Sequence, residues 1–410
     1  MALAGAEAEV HRRIRERGPI TFAEFMEVAL LWHDGGYYSD PRSTASHGDF
    51  YTAPAAHPAF GALLCLQLYQ AWLLLESPRV FWVVEMGAGN GLLCHDVVSF
   101  GRRLPPGFYD SLRYLCLDVR PGPGLEARLA PEDRRRVSRL RARGVPLRGV
   151  RGCLVSNELL DSFPVHRVTV SGGELREVYV SLGEEALREC LGAPSTPALA
   201  ARLASEEIGL AEGQTAEISL EVDGWTRAVS SALDRGFVFT VDYGDAAPEL
   251  YARPRGTLTT FHDHVQTDAP LQRVGLQDIT AHVDFTAVTR SGAAAGLETL
   301  GLTTQRELLH NLGLGEMLGK LRAMGLPQRE ADANRMGMLD IARPGGMGDF
   351  RVLVQGKGVG RPELWGLLPS EAARGALEGL PAPLRSLRHV PLMEGAYPHL
   401  GQDWEMTHLP

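Results

Sequence analysis

At 410 residues the chain is long enough for two or three domains, and its 44% hydrophobic and 22% charged residues are ordinary for a globular protein. That balance excludes a disordered chain, a collagen and a coiled coil. A formal charge of -9 and a pI near 5.8 exclude a general attraction to nucleic acid or anionic lipid, so neither is expected as a partner.

In chain order, residues 1–78 read as helical. Thr21 is placed as the N-cap of a helix carrying Phe22, Phe25, Met26, Ala29 and Leu30, which stops near Asp34-Gly35-Gly36. A polar loop through Asp49-Phe50-Tyr51-Thr52 leads to a second helix over about Pro58–Leu75. Its apolar run is broken by Gln67 and Gln70 and is too short to span a bilayer. The start of the chain lacks the apolar stretch of a secretory signal. Residues 2–17 also carry Glu7, Glu9 and Glu16, unlike a transit peptide, so a cytoplasmic location is expected. Five cysteines (Cys65, Cys94, Cys116, Cys153, Cys190) with no close pair read as small core residues in a reducing compartment.

The centre alternates short apolar runs with helical segments, which predicts a mostly parallel α/β sheet. Strands are expected at Val80–Glu85, Arg113–Asp118, Gly152–Ser156, Gly236–Asp242, Glu298–Leu302 and Phe350–Gln355. A hairpin is expected over 165–188, turning at Ser171-Gly172-Gly173, and a lid-like loop over 244–284. The expected organisation is a helical region 1–78, an α/β core 79–302 with insertions at 165–235 and 244–284, and an inserted helical segment 303–349. A last core strand 350–357 and a tail 358–410 complete it. The tail has one helix-like piece at Pro369–Leu380 and no assigned role.

The sharpest local feature is Val83-Val84-Glu85-Met86-Gly87-Ala88-Gly89-Asn90-Gly91, an apolar strand running into three alternate glycines. Glycine lets the chain turn tightly and lets a ligand approach the backbone. A dinucleotide fingerprint would need glycine at position 92, where Leu92 stands. The pattern acidic-x-G-x-G-x-G instead resembles the cofactor turn of class I S-adenosylmethionine-dependent methyltransferases, whose cofactor has no phosphates and needs no cation in the turn. Glu85, Gly87, Gly89 and Gly91 are therefore cofactor candidates. Asp118, ending the next strand, is placed on the ribose hydroxyls.

After the third strand, Asn157-Glu158-Leu159-Leu160-Asp161 stands where methyltransferases place substrate-binding groups. On a helical turn Glu158 and Asp161 would share a face and suit a cationic acceptor. A guanidinium is a poor nucleophile because its pKa lies above about 12, and carboxylates could localise its charge and take its proton. Glu158, Asp161 and Asp242 are the catalytic candidates, Asp242 ending a later strand beside Tyr243. His262, His264 and His282 lack the company of a metal motif, and no metal is expected.

The segments together resemble the MidA family, class I methyltransferase-fold proteins whose mitochondrial members methylate an arginine of a respiratory complex I subunit during assembly. The matching stretches are Gly18–Phe22, Gly36–Tyr38, Gly48–Pro54, Glu85–Gly91 and Asn157–His166. Further on come Asp242–Gly244, Gly256–Leu258, Asp278–Phe285 and Thr304-Gln305. The resemblance implies a Rossmann-like sheet with an N-terminal helical region, a hairpin insertion and an inserted helical subdomain. It also implies S-adenosyl-L-methionine as cofactor and a protein substrate presenting an arginine. It places Asp49, Thr52 and Pro54 near the cofactor and Asp278–Phe285 at the closing edge of the site; Asn157, at the sheet's edge, is a further cofactor candidate. Two departures stand out: Ala55 and Ala62 occupy positions where family members usually carry acids. They leave open a scaffold or assembly factor with little catalysis. Apolar residues of 303–342 or of the tail could form a homodimer surface.

Overall fold

The computed structural model describes residues 5–39, 51–120, 129–262 and 265–390. They divide into two compact units. One contains the described residues of Met1–Ser43, Leu159–Arg227 and Tyr243–Ala295; the other contains those of Thr44–Glu158, Ala228–Asp242 and Gly296–Pro410. This partition cuts across the segmentation expected from the sequence, because the helical region 1–78 and the core 79–302 each contribute to both units. We describe each unit in turn.

The larger unit is built on a seven-stranded sheet of β1 (Phe81–Met86), β2 (Leu112–Asp118), β3 (Val137–Arg141), β4 (Val150–Asn157), β5 (Leu233–Asp242), β6 (Glu298–Thr304) and β7 (Arg351–Lys357). Across the sheet the order is β6-β7-β5-β4-β1-β2-β3. Neighbours from β5 to β3 run parallel, and β7 is antiparallel to both β5 and β6. A parallel sheet must be covered on both faces, so its central strands are apolar at consecutive positions. Cys153-Leu154-Val155 and Phe237-Val238-Phe239 are indeed all fully buried. The six expected strands are present; β3 is the one that was missed.

Helix α1 (Ala59–Leu74) is buried on nearly every side and crosses α2 (Leu92–Gly101) at Gly61, where a Cβ would lie 2.6 Å from the Cβ of Asp96. Its two glutamines are tethers, not exposed interruptions. Gln70 bonds the carbonyl of Glu363 and the N–H of Trp365, and Gln67 accepts the N–H of Gly366. Between β6 and β7 lie the helices Gln305–Asn311, Leu314–Ala323 and Gln328–Asp340, which is the inserted helical segment. Thr304 opens it with a capping box to Glu307. In the tail, Ser370 caps Glu371–Ala376, and the N–H of Val390 donates to the carbonyl of Ala55.

The smaller unit carries a five-stranded sheet. Its hairpin His166–Ser171 and Glu174–Leu182 turns at Gly172-Gly173, both left-handed, within the expected Ser171-Gly172-Gly173 connection. A third strand, Leu187–Gly192, extends it. The stretch 244–284 is more ordered than the expected loop: Thr259–His262, Val265–Thr267 and Asp278–Thr280 form a three-stranded sheet. Thr21 caps Phe22–Leu31 as expected, accepting from the N–H of Glu24. No described helix is long and apolar enough to cross a membrane.

Candidate active site

In the larger unit, β1, β2, β4 and β5 end side by side. Met86 lies opposite Leu117 and Ser156, and Val241 opposite Asn157, so the residues that follow converge on one sheet edge. This is the crevice at the carboxyl ends of the strands where open α/β sheets bind ligands. Gly87, Gly89 and Gly91 form the turn from β1 into α2, and all three have left-handed φ (71°, 50° and 75°). Among the described residues, nothing lies within 4 Å of where a Cβ on Gly89 would stand.

Asp118 closes this turn from β2. Its Oδ2 accepts the N–H of Gly89 at 2.9 Å and its Oδ1 the N–H of Arg120 at 2.8 Å. A carboxylate has about four acceptor positions, so two remain for hydroxyl donors. Glu85, expected at the cofactor, is hydrogen-bonded within the sheet. Only 4% exposed, its Oε2 accepts the hydroxyl of Tyr114 at 2.8 Å, so this carboxyl supports the turn from inside the sheet. Burial pushes its pKa up to about 8; the Tyr114 bond opposes the rise and nearby Asp118 adds to it.

A raised carboxyl pKa stabilises the fold fully below the ordinary value of 4.5 and loses that contribution as pH rises towards 8. Glu85→Gln, which keeps the acceptor and carries no titratable proton, is therefore expected to gain on the order of 4 kcal/mol over wild type at pH 8.5 and nothing at pH 4. Urea midpoints at the two pH values measure it. A sharp drop in cofactor affinity instead would return Glu85 to the cofactor.

At the end of β4, Asn157 donates from Nδ2 to Glu158 Oε1 at 3.0 Å, while its buried Oδ1 finds no partner among the described residues. Glu158 has φ 50°, left-handed for a residue with a Cβ, and its N–H bonds the carbonyl of Val241. That conformation prevents a helix from starting at Glu158. The expected shared helical face of Glu158 and Asp161 is therefore absent, and the two residues belong to different units. Asp242 ends β5 fully buried, opposite Arg351 of β7.

Thr52 precedes and Pro54 lies within the one-turn helix Ala53–Ala56 of the same unit, and Thr52 makes no capping bond. Asp49, Asp263 and His264 fall outside the described residues. In the smaller unit, Asp161 Oδ2 accepts the Tyr243 hydroxyl at 2.5 Å; burial raises its pKa to about 6, and the Tyr243 bond holds it from going higher. His262 bonds the carbonyl of Leu276, and burial lowers the pKa of His282. No cluster with metal-ligand character occurs among the described residues.

The turn fits an adenosyl group. The space that the described residues leave over Gly89, the spare acceptors of Asp118 and the Asn157 Oδ1 that none of them pairs are what a ligand rich in hydroxyl and amino donors would use. The family described as "Putative S-adenosyl-L-methionine-dependent methyltransferase" matches residues 63–303. The crystal structure of a Burkholderia thailandensis protein bound to S-adenosyl-homocysteine is similar, with 29% identity and a TM-score of 0.77 over 88% of this chain and 93% of that one.

Two further relatives are called protein arginine methyltransferases. The mitochondrial NDUFAF7 homolog of Drosophila melanogaster is 26% identical over 86% of this chain and 84% of its own length. Mitochondrial NDUFAF7 of Homo sapiens is 26% identical over 74% of this chain and 72% of its own length. Both are mitochondrial by name, which overturns the cytoplasmic location expected from the sequence. With its parallel sheet, reversed last strand and glycine turn, the chain belongs to this family of class I S-adenosylmethionine-dependent methyltransferases, the MidA type.

Proposed function

We propose that this methyltransferase acts on a protein, at the guanidinium of an arginine. The observation that carries the reading is the Asn157–Glu158 pair: a carboxylate oriented by its neighbour's amide, in a strained backbone conformation, at the strand end beside the glycine turn. Strain of this kind costs on the order of 1–3 kcal/mol and concentrates at functional sites. The arginine methyltransferase names of the relatives support the same acceptor.

S-adenosylmethionine, when bound, supplies a methyl group already activated on sulfur. The turn and Asp118 would hold it, and the rest is alignment. An attacking guanidinium nitrogen forms the N–C bond as the C–S bond breaks, and its proton must leave. Glu158 would accept guanidinium N–H groups, draw positive charge away from the attacking nitrogen and receive that proton. Asp242 is proposed as a second acid behind it.

Because water can also take the proton, Glu158→Gln is expected to lower methyl transfer about tenfold rather than abolish it, with S-adenosylhomocysteine affinity unchanged. Labelled cofactor, mixed with arginine-containing proteins and their lysine-substituted counterparts, provides the measurement. Label that persists after arginine is replaced would refute the acceptor assignment.

A further inference from the structure

The smaller unit holds a second set of polar groups drawn together from distant parts of the chain. Tyr38 donates its hydroxyl to Asp278 Oδ2 at 3.0 Å across 240 residues of sequence. Tyr243 donates to Asp161 Oδ2, and the N–H of Ala281 bonds the backbone carbonyl of Asp161 at 3.0 Å. The N–H of Val283 in turn bonds the carbonyl of Tyr243, and the His282 ring meets the Tyr243 ring edge-on at 5.3 Å. Two phenols, each half-buried, thus flank two carboxylates that are 1% and 6% exposed. The Tyr38 phenol lies within the field of both Asp278 and Asp161, which with burial keeps it protonated far above its usual range.

An acidic cluster alone does not define a site. Thr280 adds a different kind of observation. It is 1% exposed, and its Oγ1 finds no hydrogen-bond partner among the described residues. In the strand Asp278–Thr280, side chains two apart point to the same face, so this unpaired hydroxyl faces the same side as Asp278. Leaving a buried hydroxyl unpaired costs free energy that a ligand donor would recover.

We propose that Asp278, Thr280 and Asp161, flanked by Tyr38 and Tyr243, form a guanidinium-binding nest within the smaller unit. This goes beyond the arginine reading above, which used no residue of this unit. The match is chemical. A guanidinium presents five N–H donors in one plane and no acceptor, and the nest offers two carboxylates and a hydroxyl between aromatic rings. A lysine ammonium is a compact, strongly hydrated charge with three donors and would use the set poorly.

The test is calorimetric titration of the full chain with N-acetylarginine amide, with N-acetyllysine amide as control and S-adenosylhomocysteine affinity as the measure of an intact fold. Wild type should bind the arginine amide saturably and the lysine amide at least several-fold more weakly. Asp278→Asn should weaken arginine binding about tenfold with the S-adenosylhomocysteine affinity kept. Thr280→Val separates the nest from a structural role. Removing an unpaired buried hydroxyl should raise the melting temperature in either case, but it should weaken arginine binding only if the hydroxyl serves the ligand.

A raised melting temperature with unchanged arginine affinity overturns the proposal, as does wild type with no saturable binding at millimolar arginine amide. Saturable binding that these variants weaken, in a protein that methylates no arginine, would uphold the nest and overturn the acceptor reading.

Discussion

Asp118→Ala is expected to weaken S-adenosylhomocysteine binding about a hundredfold, because a hydrogen bond to a charged group contributes about 1.5–3 kcal/mol and this carboxylate would accept from two ribose hydroxyls. The loss has a second source. Asp118 Oδ2 holds the N–H of Gly89, so removing the carboxylate also releases the middle of the glycine turn. Asp118→Asn should fall between the two. It preserves the shape but replaces one acceptor oxygen with a donor, which must then face either the Gly89 N–H, the Arg120 N–H or the ligand. Stability should fall by about 1–3 kcal/mol in Asp118→Ala, since this half-buried carboxylate holds two backbone N–H groups. Titration calorimetry on the two variants decides the matter. Wild-type affinity in Asp118→Ala would mean that the ribose does not sit at the end of β2, and the cofactor placement would have to be abandoned.

Much of this crevice was legible because parallel strands buried on both faces write themselves as unbroken apolar runs, and glycines at alternate positions mark where the backbone must turn. β3 escaped because Val137–Arg141 is an edge strand with three of its five residues polar, so neither an apolar run nor an apolar core marked it. Glu85 is expected as a ligand group because it precedes the glycines. Its hydrogen-bond partner, Tyr114, comes from the adjoining strand, and pairing register is not written in local sequence. The helical reading of Glu158–Asp161 failed on a single backbone angle, which no residue type there announced.

Tyr38, Asp278 and Thr280 carry no periodicity or spacing that marks them as site residues, and only the family resemblance brings Asp278–Phe285 towards the site. They meet Asp161 and Tyr243 through chain reversals tens to hundreds of residues apart, and single-sequence periodicity reports nothing at that range. The two glutamines of α1 show the same limit from the opposite side. They looked like polar breaks in an apolar helix, and they are the bonds that hold residues 363–366.

His57 should withdraw stability as pH falls below 6.5, against the gain that Glu85 makes as it protonates below pH 8. This ring is fully buried, its Nδ1 accepts the N–H of Ala59 at 3.0 Å, and its Nε2 lies 3.1 Å from Asn334 Oδ1. An acceptor role at Nδ1 leaves the proton on Nε2, donated to Asn334, whose Oδ1 also takes the N–H of Arg385. A second proton would have to go on Nδ1 and would break the Ala59 bond. Burial above all lowers the His57 pKa from 6.5 to about 3; the Asn334 bond opposes the shift, while His389 and Arg385 add to it.

The unfolded chain therefore binds the proton more tightly throughout the interval from pH 6.5 to 3, and the stability His57 contributes falls as pH drops through it, with no effect above 6.5. The full loss is on the order of 4 kcal/mol, a large share of a typical folding free energy. Asp96, whose pKa is lowered against the burial penalty by bonds from His389 and His95, adds a loss only below its ordinary value of 3.8. His57→Asn should start less stable at pH 7.5, having lost the Asn334 bond and ring packing. Between pH 6.5 and 4.5 it should show a flatter decline, and urea midpoints at both ends of that range measure the difference. Equal slopes in variant and wild type would remove His57 as the cause. We propose that the same residue ties acid stability to cofactor binding, because it directly follows the short helix of Thr52 and Pro54, expected near the cofactor, and its N–H bonds the carbonyl of Ala53. S-adenosylhomocysteine affinity should consequently fall with stability in wild type as pH drops, and hold more nearly constant in the variant.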